Sequence, residues 1–424
     1  MNMESKSARE NNSYLLFVFF LYFFISKDHL ENNLPLVGFA DELIALFSVP
    51  IFILHIRNQN LKFRIEKDGY GKYVVLFLMI GLLSSFRFFY QDIFSAVIPD
   101  AFLCIKFWLA LYLGKYIFRN LSLEKFANKI FRHIKIISSL YLSLIILDWI
   151  FHIFRADIRY GFRSTQLMYS HPTVFASCCT LLIMILISIR QQITGYLRWL
   201  ALLLIMLCST LRSKAFGVAF VIFLICYFVF HRKKKIRVRT FLIFVPLVVL
   251  LGWEQIEFYF FSSIQSGSAR YQLLVNAFRI ANDHFPFGSG FGTYASYYSG
   301  VNYSPLYSMY GISHIQGLQE GNASFISDSF WPMILGQTGY IGLAMFVLAI
   351  IFLFLKIQKL KSINTSFYAA TLCGLVHLLI TSAAESAFVH PLAIPIAIWM
   401  GFLIGKVEIE KRKMYAVDNI DTHL

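Results

Sequence analysis

The chain has 424 residues, of which 58% are hydrophobic and only 14% are charged. A soluble domain carries nearer a quarter charged residues, so a soluble fold is excluded and a polytopic all-α membrane protein is expected, a single membrane domain over residues 1–424. The net charge of +15 would suit nucleic acid, but most of the 38 Lys and Arg fall on alternate loops. That is the positive-inside bias of membrane proteins, and it excludes nucleic acid as the partner.

Crossing ~30 Å of hydrocarbon takes about 20 apolar residues. The runs that meet or approach this length are 14–25, 36–56, 73–90, 93–117, 134–154, 173–189, 197–208, 215–230, 241–253, 329–355, 367–382 and 388–405. They predict about twelve spans with both termini cytoplasmic. The first run lacks a small-residue cleavage site and reads as a span, not a signal peptide. Asp41 and Glu42 lie inside the second, where acids are functional candidates by default, with partners unknown. Residues 122–135 read as a basic amphipathic helix on the cytoplasmic surface. The six cysteines all sit in apolar runs without CxxC or Cys/His spacing, so neither a disulfide framework nor a metal site is expected. The run Arg232-Lys233-Lys234-Lys235-Ile236-Arg237-Val238-Arg239 reads as a cytoplasmic anchor.

Few basic residues remain for the outer face, where positive charge is depleted. They are Arg155, Arg159 and Arg163 before the sixth span, Arg212 and Lys214 between the seventh and eighth, and Arg270 and Arg279 in a large outer loop, 254–328, between spans nine and ten. An arginine at membrane depth faces a water-filled cavity or an anion, and its planar fork matches phosphate oxygens. The alternative for Arg212 and Lys214 is a snorkelling pair at a helix end. Arg270 opens an apolar-periodic stretch (Leu273, Leu274, Ala277, Phe278, Ile280), with Ser266 and Ser268 as candidate caps. Such a helix start offers backbone N–H groups to an anion. Arg279, nine residues on, falls about 180° around the helix and is expected to be structural.

The stretch Gly288-Ser289-Gly290-Phe291-Gly292 has no preceding strand and is no dinucleotide site. Two readings remain, a permissive turn and an anion-binding backbone nest, and the turn is preferred. Tyr294, Tyr297, Tyr298, Tyr303, Tyr307 and Tyr310 follow, with Tyr294 and Tyr297 taken as candidate sugar contacts beside His171; an interfacial belt explains any single tyrosine as well. Candidate general bases are His171, His314, Glu320, Asp328, Glu385 and His390. Asp328 starts a span, where partial loss of water suits a carboxylate to proton transfer, or where it caps the helix.

Three motifs in order resemble the O-antigen polymerase and O-antigen ligase superfamily of bacterial envelope glycosyltransferases. Ser209-Thr210-Leu211-Arg212-Ser213 is similar to its Ser/Thr-x-x-Arg turn. Arg270 with Pro286-Phe287-Gly288-Ser289-Gly290-Phe291-Gly292 is similar to its arginine helix and Pro-x-Gly-x-Gly stretch. The run from Asp328 through Trp331-Pro332 to Gly339-Tyr340-Ile341-Gly342 resembles its re-entry helix ending in Gly-x-x-Gly. Arg163 and His171-Pro172 match loosely.

The resemblance implies a GT-C-like fold in the bacterial inner membrane with a periplasmic loop containing short helices. It implies undecaprenyl-diphosphate-linked oligosaccharides as donor and acceptor, in contact with membrane lipid and a chain-length regulator. Arg212, Arg270, Lys214 and Arg163 would hold the diphosphate, with Asp328 or His314 as base, in an inverting transfer without metal or other cofactor. Ligases of the family have His-Asn where Asp328-Ser329 stands, which favours the polymerase branch. The alternatives are a ligase acting on lipid A-core and, from another class, a flippase or transporter.

Overall fold

The computed structural model describes residues 3–48, 50, 69–233 and 268–421, and the chain over them is mostly helical. The helices are α1 (Met3–Asn33), α2 (Ala40–Leu46), α3 (Tyr70–Phe88), α4 (Ile98–Ile117), α5 (Leu123–Phe151), α6 (Pro172–Ser188), α7 (Tyr196–Ser209) and α8 (Ser213–Cys226). They continue with α9 (Ala269–Asp283), α10 (Tyr297–Val301), α11 (Leu306–Met309), α12 (Phe330–Leu360), α13 (Thr365–Ser382) and α14 (Ala393–Asp421). One hairpin pairs β1 (Ile158–Arg159) with β2 (Phe162–Arg163).

Seven helical stretches among the described residues are long and apolar enough to cross a membrane, and α6 and α7 are apolar but shorter. The predicted span 241–253 lies outside the described residues, as do Ser266 and most of the basic run 232–239. Of the predicted span 36–56, the described part is a 3-10 turn, Pro35–Phe39, followed by the seven-residue α2. The expected surface helix 122–135 is corrected. Ser122 accepts a hydrogen bond from the Lys125 N–H, and α5 runs unbroken for 29 residues. No Gly or Pro interrupts 123–151, so nothing in the backbone ends the amphipathic part before the apolar part begins.

Polar contacts join loops that the sequence reading put on the same side. At one end Asp28 accepts from the Ser170 N–H and hydroxyl, Tyr90 meets His284, Gln91 donates to the Asn302 carbonyl, and Ser386 donates to the Ser327 carbonyl. At the other end Lys125 meets Glu10 and Arg190 meets Ser366. Helices α3 and α12 run antiparallel, with Tyr73 against Phe352 and Phe77 against Phe346. Helices α4 and α14 touch backbone to backbone, a packing that small residues permit in membranes: a Cβ on Gly401 would fall 2.0 Å from the Leu111 carbonyl oxygen.

The acids of the second predicted span find their partners. Asp41 bridges Lys27 (2.8 Å) and Lys106 (2.7 Å), and Lys106 also reaches Glu42 at 3.2 Å. Glu31 adds a third carboxylate, 3.6 Å from Lys27, so every buried charge of the cluster faces an opposite one, as buried ions require.

The segment from α9 to α12 is locked by its glycines. Gly339 adopts φ 62°, ψ −169° and breaks α12 into a short run, 330–338, and the long helix 340–360. The turn 288–292 fits into that break: Ser289 N–H donates to the Gly336 carbonyl and Gly290 N–H to that of Gln337. Phe291 N–H donates to Ser85 Oγ and Gly292 N–H to the Asp100 carboxylate, so the turn also ties α12 to α3 and α4. With these donors engaged inside the protein, the segment is the permissive turn and not an anion nest.

Candidate functional site

The first element of the site is the turn between α7 and α8. Thr210 turns its hydroxyl back to the Leu207 carbonyl, Leu211 takes a left-handed conformation (φ 50°), and Arg212 is extended at the N-terminus of α8. The neighbouring loop fixes this geometry, because Thr165 N–H donates to the Ser209 carbonyl and Ser164 to that of Thr210. Arg212 is mostly buried and its Nη2 donates to Asp157 Oδ2 at 2.8 Å.

Lys214 sits in the first turn of α8, where the helix dipole disfavours a cation. Its ammonium is paired with Glu385, from the loop between α13 and α14. It also lies within electrostatic reach of Arg270, Arg212, Asp328 and Arg159. Arg270 comes from the start of α9, whose cap is Ser268, accepting from the Tyr271 N–H. Its Nη2 meets Asp328 Oδ2 at 3.1 Å. Thus Arg212, Lys214 and Arg270 converge from the α7–α8 turn and from α9, each against a carboxylate, with Arg159 adding positive charge from the hairpin.

His171 caps α6 by accepting from the Thr173 N–H, with Pro172 at the first helical position. Its Nδ1 is 4.0 Å from Glu385 Oε1. Burial, with Arg212 and Lys214 close by, pushes its imidazole down to about 4, so it is neutral at ordinary pH. Below Glu385 lies a cavity of about 20 Å³ lined by Thr173, Ser177, His377 and His390, among others. That is room for about one water.

Other expected site residues are elsewhere. Arg163 is corrected from diphosphate binder to staple: Nε and Nη2 each lie 3.2 Å from the Asp148 carboxylate, and Nη2 also donates to the Phe154 carbonyl. Asp148 is 1% exposed and is held by Arg163 together with the Phe154 N–H. Tyr294 is corrected from sugar contact to core, fully buried with its hydroxyl on the Leu273 carbonyl and its ring stacked with Tyr307. Tyr297 is exposed on α10, edge-on to Tyr298. His314 is exposed, its carbonyl accepting from Gln319, and no described contact brings it to the cluster. Asp328 does not cap α12; it ends a 3-10 turn, and Ser329 occupies the cap position. Arg279 is exposed and donates to Asn276, as a structural residue would.

The carboxylate partners are what sequence reasoning missed. Glu385 appeared only among candidate bases and Asp157 not at all, although an acid two residues before Arg159 in a basic outer stretch is a visible signal. Pairing relieves repulsion among the cations. A ligand with more than one negative charge, such as a diphosphate, could exchange for the carboxylates through bidentate contacts. No known family model matches the sequence, and no curated protein matches it.

Proposed function

We propose that this chain is a polysaccharide polymerase: a metal-independent glycosyltransferase that moves a growing glycan from undecaprenyl diphosphate onto the non-reducing end of an undecaprenyl-linked repeat unit, at the outer face of a bacterial inner membrane. The observation that carries the reading is the run of contacts that gathers the cations: Arg212 and Lys214 share one turn, Lys214 meets Glu385, the neighbouring Ser386 donates to the Ser327 carbonyl, and the adjacent Asp328 meets Arg270. During transfer the acceptor oxygen loses its proton and bonds to the anomeric carbon, while the bond from that carbon to the diphosphate oxygen breaks with its electron pair. Negative charge grows on the leaving diphosphate. Preorganised cations stabilise it in a partly desolvated site, the role a divalent ion would otherwise fill.

Asp328 is our assignment for the base, because its contact with Arg270 puts a carboxylate beside the leaving-group cations. Glu385, against Lys214 and 4.0 Å from His171, is the alternative. Substrate arrival would free either carboxylate from its cation, so proton acceptance and diphosphate capture would be coupled. The test is polymerisation of purified lipid-linked repeat unit with chelator present. Arg212→Ala and Arg270→Ala should each slow it by roughly 10²-fold. An undiminished glycan ladder in both variants rules the mechanism out. Deletion of the gene separates this reading from the ligase: losing a polymerase leaves single repeat units on the lipid A-core, whereas losing a ligase leaves none.

A further inference from the structure

At the end of the molecule opposite the arginine cluster, a cavity of about 540 Å³ opens between α12 and α14. Residues 340–360 of α12 are helical and span ~30 Å, which sets the cavity far from Asp328. Lys356 and Lys359 line it from α12, and Glu408 and Lys411 from α14, each pair three residues apart and so on one face of its helix. Among the described residues, the lining thus holds three lysines and one carboxylate. Glu408 meets Lys356 and, at 3.8 Å, Lys115 of α4; the Tyr70 ring lies 5.7 Å from the Lys356 ammonium and 5.9 Å from that of Lys115. Orientation in a membrane asks only for lysines in loops, whereas these come from two helices onto one cavity, with the Lys356 side chain 13% exposed. The dipole of α12 gives a reason for Lys359, in its last turn. Lys411 has no such reason, standing ten residues before the end of α14 at Asp421.

The lining also includes Phe352, Leu355 and Val407. Leu355 is 42% exposed and Ile351, one turn earlier on the same face, 44%, so the cavity runs out onto a bare flank of a membrane-crossing helix. A soluble phosphate would match the lysines and leave that flank open. A zwitterionic lipid would cover the flank and bring no net charge to the lysines. Basic pockets between membrane helices take anionic headgroups, whose acyl chains answer the apolar side as well. We propose that this cavity seats an anionic phospholipid, its phosphate against Lys359 and Lys411 with Lys356 behind them, and its acyl chains along Leu355 and Ile351. The site goes beyond the function proposed above and stands whether or not that function does.

The test uses the full chain in a neutral detergent, with native mass spectrometry counting the lipid it retains across a titration. Dioleoyl phosphatidylglycerol is the probe, and dioleoyl phosphatidylcholine and glycerol 3-phosphate are the comparisons. The wild type should retain phosphatidylglycerol in preference to phosphatidylcholine, and glycerol 3-phosphate should not displace it. Lys359→Gln and Lys411→Gln should each weaken retention about fivefold, the worth of one lysine beside an anionic lipid. Lys359→Arg and Lys411→Arg should restore it, which a merely misfolded variant would not do. Lys129→Gln, which removes an exposed lysine of α5 at the same end, should leave retention unchanged. Equal retention of the two lipids, none of either included, overturns the proposal. So does displacement by glycerol 3-phosphate, a loss in Lys129→Gln as large as in the cavity variants, or no loss in the cavity variants.

Discussion

Replacing Gly339 with alanine would put a methyl group against the backbone of residues 286–288. Its φ of 62° with ψ of −169° lies in a region that is essentially glycine's alone, and holding another residue there costs about 1–3 kcal/mol. The added Cβ would stand 2.5 Å from the Pro286 carbonyl oxygen and 2.6 Å from the Gly288 nitrogen. Those are backbone atoms, held by the hydrogen bonds of Ser289 and Gly290 to α12, and relieving such overpacking costs a further ~1–3 kcal/mol. The sum is about 2–6 kcal/mol of destabilisation from one methyl group. Gly71 is the control. It lies inside α3 with nothing within 4 Å of a built Cβ, so alanine there should be neutral or stabilise by up to ~1 kcal/mol. Thermal unfolding of the purified variants in one detergent reads the difference, and limited proteolysis of 268–329 reads whether the loss begins at the turn. If Gly339→Ala unfolds at the same temperature as Gly71→Ala, the kink is not the lock described here.

Two further outcomes follow from the site's surroundings. Arg163→Ala should destabilise the protein by about 3–5 kcal/mol, because it removes the charged partner of the buried Asp148 carboxylate and leaves it the Phe154 N–H. Adding Asp148→Asn should recover part of that loss, and no recovery would show that Arg163 matters for another reason. His171 gives a pH dependence. Its folded-state value, near 4, lies below the ordinary ~6.5, so the unfolded chain takes up the proton first as pH falls. Its contribution to stability is therefore whole above about 6.5 and lost as pH drops towards 4. His171→Asn keeps a capping side chain and should flatten the fall in unfolding temperature over that window; parallel curves for variant and wild type would contradict the assignment.

Much of the site was legible in the sequence because membranes make charge conspicuous. Arg212, Lys214 and Arg270 stood out as cations in loops that the charge pattern assigned to the cation-poor side, and the start of α9 followed from its apolar period with Ser268 before it. The turn at 288–292 was readable from its glycines. Tyr294 was not readable as core, since a tyrosine in a polar loop looks the same whether its ring meets sugar or the Tyr307 ring. Arg163 misled for a similar reason: an outward arginine signals some anion, and the anion here is the protein's own Asp148.

Hydropathy and charge are properties of single residues summed over short windows, so composition alone determined that the chain is mostly helical with stretches apolar enough to cross a membrane, and which loops lie at the same end. Pairing is a property of positions brought together from far along the chain. Lys214 meets Glu385 across 171 residues, Arg270 meets Asp328 across 58, and Lys106 meets Asp41 across 65. No local pattern encodes those distances. Only the packing of the helices decided which carboxylate neutralises which cation.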